Sequence, residues 1–356
     1  MDIFLMLFII IGLFLLASLS IVIYNNFTAP KIINTSHNLI RTPVLSILIS
    51  ARNNEKDIKD CLSSILSQNY NNYEVLVLDD FSKDNTAEII NQFSDKNKRI
   101  KLIEGKKLPK DWLNKNWVRH QLAELSKGDI LLFMDTNIRL SENSLNSCLY
   151  KMQKKNIDLL TVFPTQVMKS VSEFFVVPIV NWFLLSFVPL RPIFASSNKS
   201  IIAASDQFIL FERNSYFGTG GYELYKNDRK VEMELARKIK NSEKRILTAL
   251  GDYSIYGRMF NNYNSAYAGL ADQLFKDFKT AKLKFLLILS GIMVLYFLPI
   301  PLSCFDFRFI WLVLAIVLNR LLISFLSNQS PLIGIIHPLQ MILFFILGIF
   351  SMNKSK

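Results

Sequence analysis

The sequence predicts an α/β domain carried between apolar helices that cross a membrane. Two observations predict it. Apolar blocks occupy both ends of the 356-residue chain, which is 51% hydrophobic. Between them, short β-branched runs alternate with segments of helical spacing, the pattern of a parallel sheet with crossover helices.

Residues 3–24 carry no charge, and about 20 apolar residues in a helix span a ~30 Å hydrocarbon core. Neither a basic leading region nor a convincing small-residue cleavage site accompanies them, so 1–24 is expected to be a retained anchor rather than a cleaved signal. Residues 25–42 are expected to be a linker. At the other end, 281–356 is expected to hold two or three spans, Leu283–Cys304, Phe309–Leu326 and Leu332–Phe350. The last is either one span or a helix pair broken near Pro338. Lys31 and Arg41 follow the anchor and Asp2 precedes it, so the positive-inside rule places the middle of the chain in the cytoplasm. The expected location is therefore the cytoplasmic membrane, with several passes.

The formal charge of +12 suits anionic headgroups. Lys and Arg are dispersed and no nucleic-acid motif accompanies them, which disfavours nucleic acid as a partner. Cys61, Cys148 and Cys304 have the spacing of neither a zinc site nor a disulfide framework. His37, His120 and His337 are too scattered for a metal cluster.

In the middle, residues 44–50 (VLSILIS) read as a buried strand. Lys56–Ser67 places Ile58, Leu62, Ile65 and Leu66 at helical spacing. YEVLVLDD is a second strand ending in Asp79 and Asp80. Helix is expected at Asn85–Phe93, strand at Ile100–Glu104, helix at Asn116–Ser126, and strand at Asp129–Met134, ending at Asp135. Ligands of open α/β sheets bind beyond the carboxyl ends of the strands. Three polar groups fall there: Ala51–Glu55, Asp79–Asp80 and Asp135–Asn137. Singly each could be a turn; together they favour a nucleotide pocket.

The run PVLSILISARNNEKDIKDCLSSILSQNYNNYEVLVLDDFSKDNTAEII resembles the opening of family 2 glycosyltransferases with the GT-A fold. Residues 79–86 (DDFSKDNT) match that family's Asp-Asp-x-Ser-x-Asp-x-Thr motif, with Phe81 where Gly is usual. GKKLPKDWLNKNWVRHQ is similar to an element of hopene-associated glycosyltransferases, relatives of the carotenoid (diaponeurosporenoate) glycosyltransferases. FFVVPIVNWFLLSFVPLRPIF and FILFERNSYFGTGGYE resemble later segments of the same group. The resemblance implies a GT-A domain over 43–280, with a nucleotide-binding half at 43–165 and an acceptor half at 166–280. Residues 174–195, apolar but broken by proline, are expected to lie in the membrane plane as an amphipathic segment. The alternatives are a transmembrane hairpin or a buried core helix.

A nucleotide-sugar transferase must hold a diphosphate, stabilise it as it leaves, and deprotonate an acceptor. Asp80 can accept hydrogen bonds from a base N–H or a ribose hydroxyl, with Asp79 next to it. By resemblance, Ala51, Asn53 and Glu55 flank the same nucleoside. The alternative for the two aspartates is capping of the next helix. Asp135 and Asn137 occupy the places of the family's Asp-x-Asp, which implies a site for Mg²⁺ or Mn²⁺. Hard cations prefer carboxylates, and Asn137 offers only an amide oxygen. Lys115 is a candidate cation for the diphosphate, or an ordinary solvated lysine. Alignment on Leu235-Ala236 puts Glu232 at the general-base position and Val231 where a second carboxylate is usual. A charged face of an amphipathic helix is the plainer reading of that stretch. Arg258 is a candidate for phosphate contact or a snorkelling interfacial arginine.

The implied activity is inverting hexosyl transfer from a nucleotide sugar, with a UDP-sugar expected, to a lipid or isoprenoid acceptor. The relatives place that activity in carotenoid biosynthesis. The alternatives are a weakly active or non-catalytic nucleotide-binding scaffold, and transfer to polyprenyl phosphate or polysaccharide.

Overall fold

The computed structural model describes residues 3–196, 198–259 and 282–354. The last stretch of the expected acceptor half, 260–280, lies outside them. The chain divides into an α/β unit, Pro30–Thr165 with Leu190–Gly257, and a helical unit made of residues up to Ala29, Gln166–Pro189 and those from Arg258 onward.

After the apolar helix α1 (Ile3–Thr28), the α/β unit follows the order read from the sequence. Strands β1 (Leu45–Ala51), β2 (Tyr73–Asp79), β3 (Ile100–Glu104) and β4 (Ile130–Asp135) are joined by α2 (Ile58–Leu66), α3 (Thr86–Lys96) and α4 (Asn114–Leu125). Each predicted element is found within two or three residues of its expected ends. The helices form because their apolar residues recur every three or four positions. In α2 these are Ile58, Cys61, Leu62 and Ile65, all buried, and they pack with Ile47 and Ile49 of β1 and Val75 and Val77 of β2 in one core. Full burial of such a side chain contributes about 1.5–3 kcal/mol.

Next come β5 (Ile138–Leu140), α5 (Ser144–Lys155), β6 (Leu159–Phe163) and the two-residue β7 (Thr165–Gln166). Then follow α6 (Val171–Phe187), α7 (Leu190–Ala195), β8 (Phe208–Glu212), α8 (Arg213–Gly218), α9 (Gly221–Leu224), α10 (Val231–Asn241), β9 (Ile246–Leu250) and β10 (Ile255–Gly257). The seven-stranded sheet runs β3-β2-β1-β4-β8-β6-β9. It is mixed rather than parallel throughout: β8 is antiparallel to both β4 and β6. Both strands flanking β8 are buried on both faces, and a continuous apolar run carries no sign of strand direction. This reversal brings the residues just before β8 beside the carboxyl end of β4, where the site lies.

In the helical unit, α11 (Lys282–Tyr296) with the short α12 (Pro299–Leu302), then α13 (Phe309–Leu326) and α14 (Ile333–Lys354), follow the described gap. Among the described residues, four helices are long and apolar enough to cross a membrane: Ile3–Thr28, Lys282–Leu302, Phe309–Leu326 and Ile333–Met352. The last runs through Pro338 as one helix, which decides between the two readings of that segment.

The expected in-plane amphipathic segment is corrected. Its main part, α6, is apolar around its circumference and packs against α1, α13 and α14. Val176, Val177, Ile179, Trp182 and Leu185 are all buried. A helix apolar on every side is a buried helix, and 166–189 belongs with the helical unit rather than with an acceptor half. Pro178 lacks the N–H that the Phe174 carbonyl would accept from. Gln340 Nε2 donates to that carbonyl instead, at 2.7 Å. Gln340→Leu is expected to leave it unpaired and destabilise the helical unit by about 1–3 kcal/mol, read as a lower melting temperature in detergent.

Candidate active site

The three polar groups at the strand ends come together. In the sheet register Ala51 pairs with Asp79 and Ser50 with Asp135, so the carboxyl ends of β2, β1 and β4 stand side by side.

The loops after β1 and β2 clasp each other. Ser82 Oγ accepts from Asn53 N at 2.9 Å, and Asn53 Oδ1 accepts from Lys83 N at 2.8 Å. Glu55 Oε2 accepts from Asn85 N at 3.3 Å, while Asp84 Oδ2 accepts from Glu55 N at 3.1 Å. Asn53 and Phe81 both hold left-handed backbone, with φ of 53° and 54°. Asn tolerates that region and Phe does not, so the network of bonds on either side of Phe81 holds it there. The side chains of Asn53 and Glu55, expected to flank a nucleoside, are thus engaged in shaping the loop. Ala51 is buried. Asp79 Oδ2 accepts from Ser82 N at 3.1 Å, whereas its Oδ1 is buried without a hydrogen-bond donor among the described residues.

Asp80 is held differently. Its Oδ2 accepts from Arg52 Nη1 at 3.1 Å and from Asn114 Nδ2 at 2.5 Å. The carboxylate is therefore fixed in the cleft between the β2 loop and the start of α4, rather than capping α3, whose first residues have no side-chain cap from it.

The centre of the site is a residue the sequence reading passed over. Arg119, 2% exposed, lies one helical turn beyond Lys115 on α4. Its Nη2 donates to Asp135 Oδ1 at 2.9 Å and to the Asp206 carbonyl at 2.6 Å. Its Nη1 donates to Glu232 Oε1 at 2.5 Å and to Tyr222 Oη at 2.9 Å. Tyr222 also donates to Glu232 Oε1, at 2.9 Å. One guanidinium thus joins the predicted cation ligand to the predicted base. Glu232 is buried, in the first turn of α10, where the helix dipole favours a carboxylate. Tyr222 reaches it because Gly220 and Gly221 turn the chain with φ of 86° and 52°. A Cβ on Gly221 would meet the Tyr216 ring at 2.7 Å.

Lys115 Nζ pairs with Asp206, which sits just before β8, opposite the end of β4. Lys115 is the first cause holding the Asp206 carboxyl down at about 2. Burial lifts the Asp135 carboxyl above its ordinary value, against the pull of Lys115 and Arg119. Around this point two cations face three carboxylates, leaving one negative charge in excess. Trp112 and Trp117 lie edge to face at 5.1 Å, with His120 4.9 Å from Trp112, and brace the start of α4.

Arg258 belongs to the helical unit. There its Nε and Nη2 donate to Glu173 Oε1 at 3.0 and 2.6 Å. Glu173 also closes a capping box on Ser170 at the start of α6. Burial raises its carboxyl, but Arg258 and the backbone N–H groups of Lys169 and Ser170 outweigh that and hold it below the usual range.

Among the described residues, no three acidic, histidine or cysteine side chains converge on a point that could hold a cation. Asp135 and Asp206 offer carboxylate oxygens around Arg119 and Lys115, and Asn137, with its amide oxygen, follows Asp135 by two residues. Such a set fits a hard cation that completes its shell with diphosphate oxygens, which commonly uses only one or two protein carboxylates.

The sequence model of the family described as Glycosyl transferase family 2 matches residues 46–216, just under half of the chain. The chain is 30% identical over 128 residues to 4,4'-diaponeurosporenoate glycosyltransferase of Staphylococcus haemolyticus, covering 35% of this chain and 33% of that protein. It is 32% identical over 117 residues to the UDP-Glc:alpha-D-GlcNAc-diphosphoundecaprenol beta-1,3-glucosyltransferase of Escherichia coli, covering 33% of this chain and 44% of that one. These matches span less than half of the relatives' own length. The fold is similar, at TM-score 0.58 and 14% identity, to a mannosyltransferase from Pyrobaculum calidifontis, covering 98% of this chain and all of that one. On the strand order, the converging strand ends and these likenesses, residues 46–216 match the family 2 glycosyltransferase model within a fold of the GT-A type.

Proposed function

We propose that the protein transfers a sugar from a nucleotide donor, a UDP-sugar, to a lipid or isoprenoid acceptor at the cytoplasmic face of a membrane, with inversion. The observation that carries the reading is the Arg119 bridge, which holds Glu232 and Asp135 on one guanidinium. A base and a diphosphate site must lie within one sugar's reach for single displacement.

In this reading Asp80, with Asp79 beside it, receives the nucleoside, and the clasped β1 and β2 loops wall it in. Glu232 takes the proton of the acceptor hydroxyl or carboxyl as its oxygen bonds to the anomeric carbon. The bond from that carbon to the diphosphate breaks on the opposite side, and the electron pair leaves with the diphosphate. Lys115 faces the leaving group once it gives up Asp206. A Mg²⁺ or Mn²⁺ ion, held by Asp135 and Asn137, would supply Lewis-acid stabilisation of the diphosphate. The excess of negative charge favours such a cation, because two cationic side chains do not offset three carboxylates and a diphosphate together. The Pyrobaculum mannosyltransferase holds GDP-Man and Mn²⁺. Arg258 takes a phosphate only by releasing Glu173.

The lipid acceptor is supported by the four helices, among the described residues, long and apolar enough to cross a membrane and by two relatives whose names specify isoprenoid substrates. The reaction is tested by incubating the protein with radiolabelled nucleotide sugars and extracted lipids. The expected result is label in the lipid fraction, with the anomeric configuration inverted; retention of configuration would exclude Glu232 as the base of a single displacement.

Asn137 favours a second reading, a nucleotide-binding scaffold of weak activity. Asn137→Asp adds a carboxylate and is expected to tighten Mn²⁺ binding about tenfold or more, measured by calorimetry with UDP present. Unchanged binding would remove position 137 from the cation site.

A further inference from the structure

The helical unit buries ionisable groups that this chemistry does not use. Arg320 and Ser324 lie one turn apart on α13, and His337 and Gln340 on α14; all four are buried. In helices apolar enough to cross a membrane such groups are costly and mark sites that meet a partner or ligand.

Arg320 Nη2 donates to the Pro178 carbonyl at 3.1 Å. Its Nε and Nη1 have no acceptor among the described residues, and Ser324 Oγ and His337 Nε2 are likewise unpartnered there. Three helices meet at this point. Gln340 holds the Phe174 carbonyl of α6, the His337 ring lies 5.4 Å from that of Trp182, and the Pro178 carbonyl that Arg320 holds falls between those two positions on α6. Because Gln340 Nε2 is used on Phe174, its Oε1 is the atom facing His337 Nδ1, at 3.4 Å. An amide oxygen only accepts, so Nδ1 carries the proton and Nε2 of the neutral ring is an acceptor. The set therefore offers cationic N–H donors, a hydroxyl and one acceptor.

We propose that Arg320, Ser324 and His337 receive the acidic group of a lipid, a phosphate monoester or a carboxylic acid. Guanidinium and hydroxyl donate to its oxygens, and His337 Nε2 accepts from the acid's remaining O–H. Arg320 is enclosed as it stands, so entry requires α6 to part from α13 at Pro178, where that helix lacks a backbone hydrogen bond. The inference names the acceptor class and so rests on the reading of a lipid acceptor.

The test is lipid retention by the full chain in detergent, followed by native mass spectrometry with phosphatidic acid or oleate. One acidic lipid retained per chain is expected. Arg320→Met is expected to weaken retention about tenfold or more, the loss of a charged hydrogen bond. Ser324→Ala and His337→Gln are expected to weaken it by smaller factors. Nucleotide binding should be unchanged in all three. Removing an unpaired buried charge should leave the lipid-free melting temperature equal or higher; a fall in both melting temperature and nucleotide binding would mark Arg320 as structural and overturn the inference. Retention equal to wild type in Arg320→Met also overturns it. Displacement of the lipid by equimolar inorganic phosphate would make the site one for free anions and overturn the lipid assignment. Since retention needs no turnover, retention without sugar transfer sinks only the transferase reading, and transfer with retention unaltered in the variants sinks only this inference.

Discussion

Glu232→Gln is expected to slow sugar transfer by about 10²–10⁴, the usual contribution of a positioned general base, while leaving nucleotide binding within about twofold of wild type. The amide keeps the shape of the side chain, and its oxygen can still accept from Arg119 and Tyr222, which both bond Oε1 in the native site. What it loses is the capacity to take a proton. A fall in the rate of bond formation with donor affinity intact separates the base from a residue that merely supports the fold. The neighbouring Glu234 pairs with Arg237 on the helix surface, so Glu234→Gln should leave the rate within about twofold.

Arg119→Met carries the second large effect, on stability and rate together. The guanidinium is the cation shared by Glu232 and Asp135. Its removal leaves the buried Glu232 and the half-buried Asp135 without their shared cation, and breaking a buried pair typically costs about 3–5 kcal/mol. Such a loss is a large fraction of the stability of one domain. A drop in melting temperature of the detergent-solubilised protein, with transfer activity lost, is the expected result. Arg119→Lys should recover part of the stability but little activity, because an ammonium cannot bridge two carboxylates in the planar geometry of the guanidinium. A melting temperature unchanged in Arg119→Met would show that the bridge contributes nothing.

The parallel half of the sheet was legible because strands β1, β2 and β4 are apolar runs that stop at Ala51, Asp79 and Asp135, and because the helices between them keep helical spacing. The antiparallel β8 was not, since FILFE reads the same in either direction. Asp80, Asp135 and Glu232 were put forward by motif position alone, and the fold joins the last two through Arg119. Arg119 was missed although its spacing pointed to it. Lys115 and Arg119 stand four apart, so a helix that aims one at a site aims the other there as well. Asp206 had no local signal: it precedes a strand whose partner is distant in sequence, and only the antiparallel pairing of β8 with β4 sets it beside Asp135. The segment 174–195 was misread because its three prolines, Pro178, Pro189 and Pro192, suggested a break, whereas α6 stays helical through Pro178 and the carbonyl freed there is taken by Gln340.

The most direct test is nucleoside diphosphate release by the purified protein, with a panel of nucleotide sugars, Mn²⁺ or Mg²⁺, and extracted membrane lipids, beside Glu232→Gln. Release stimulated by lipid from one donor, and lost in the variant, is the predicted result. Release that persists in Glu232→Gln, or absence of release from every donor despite nucleotide binding, would contradict the account.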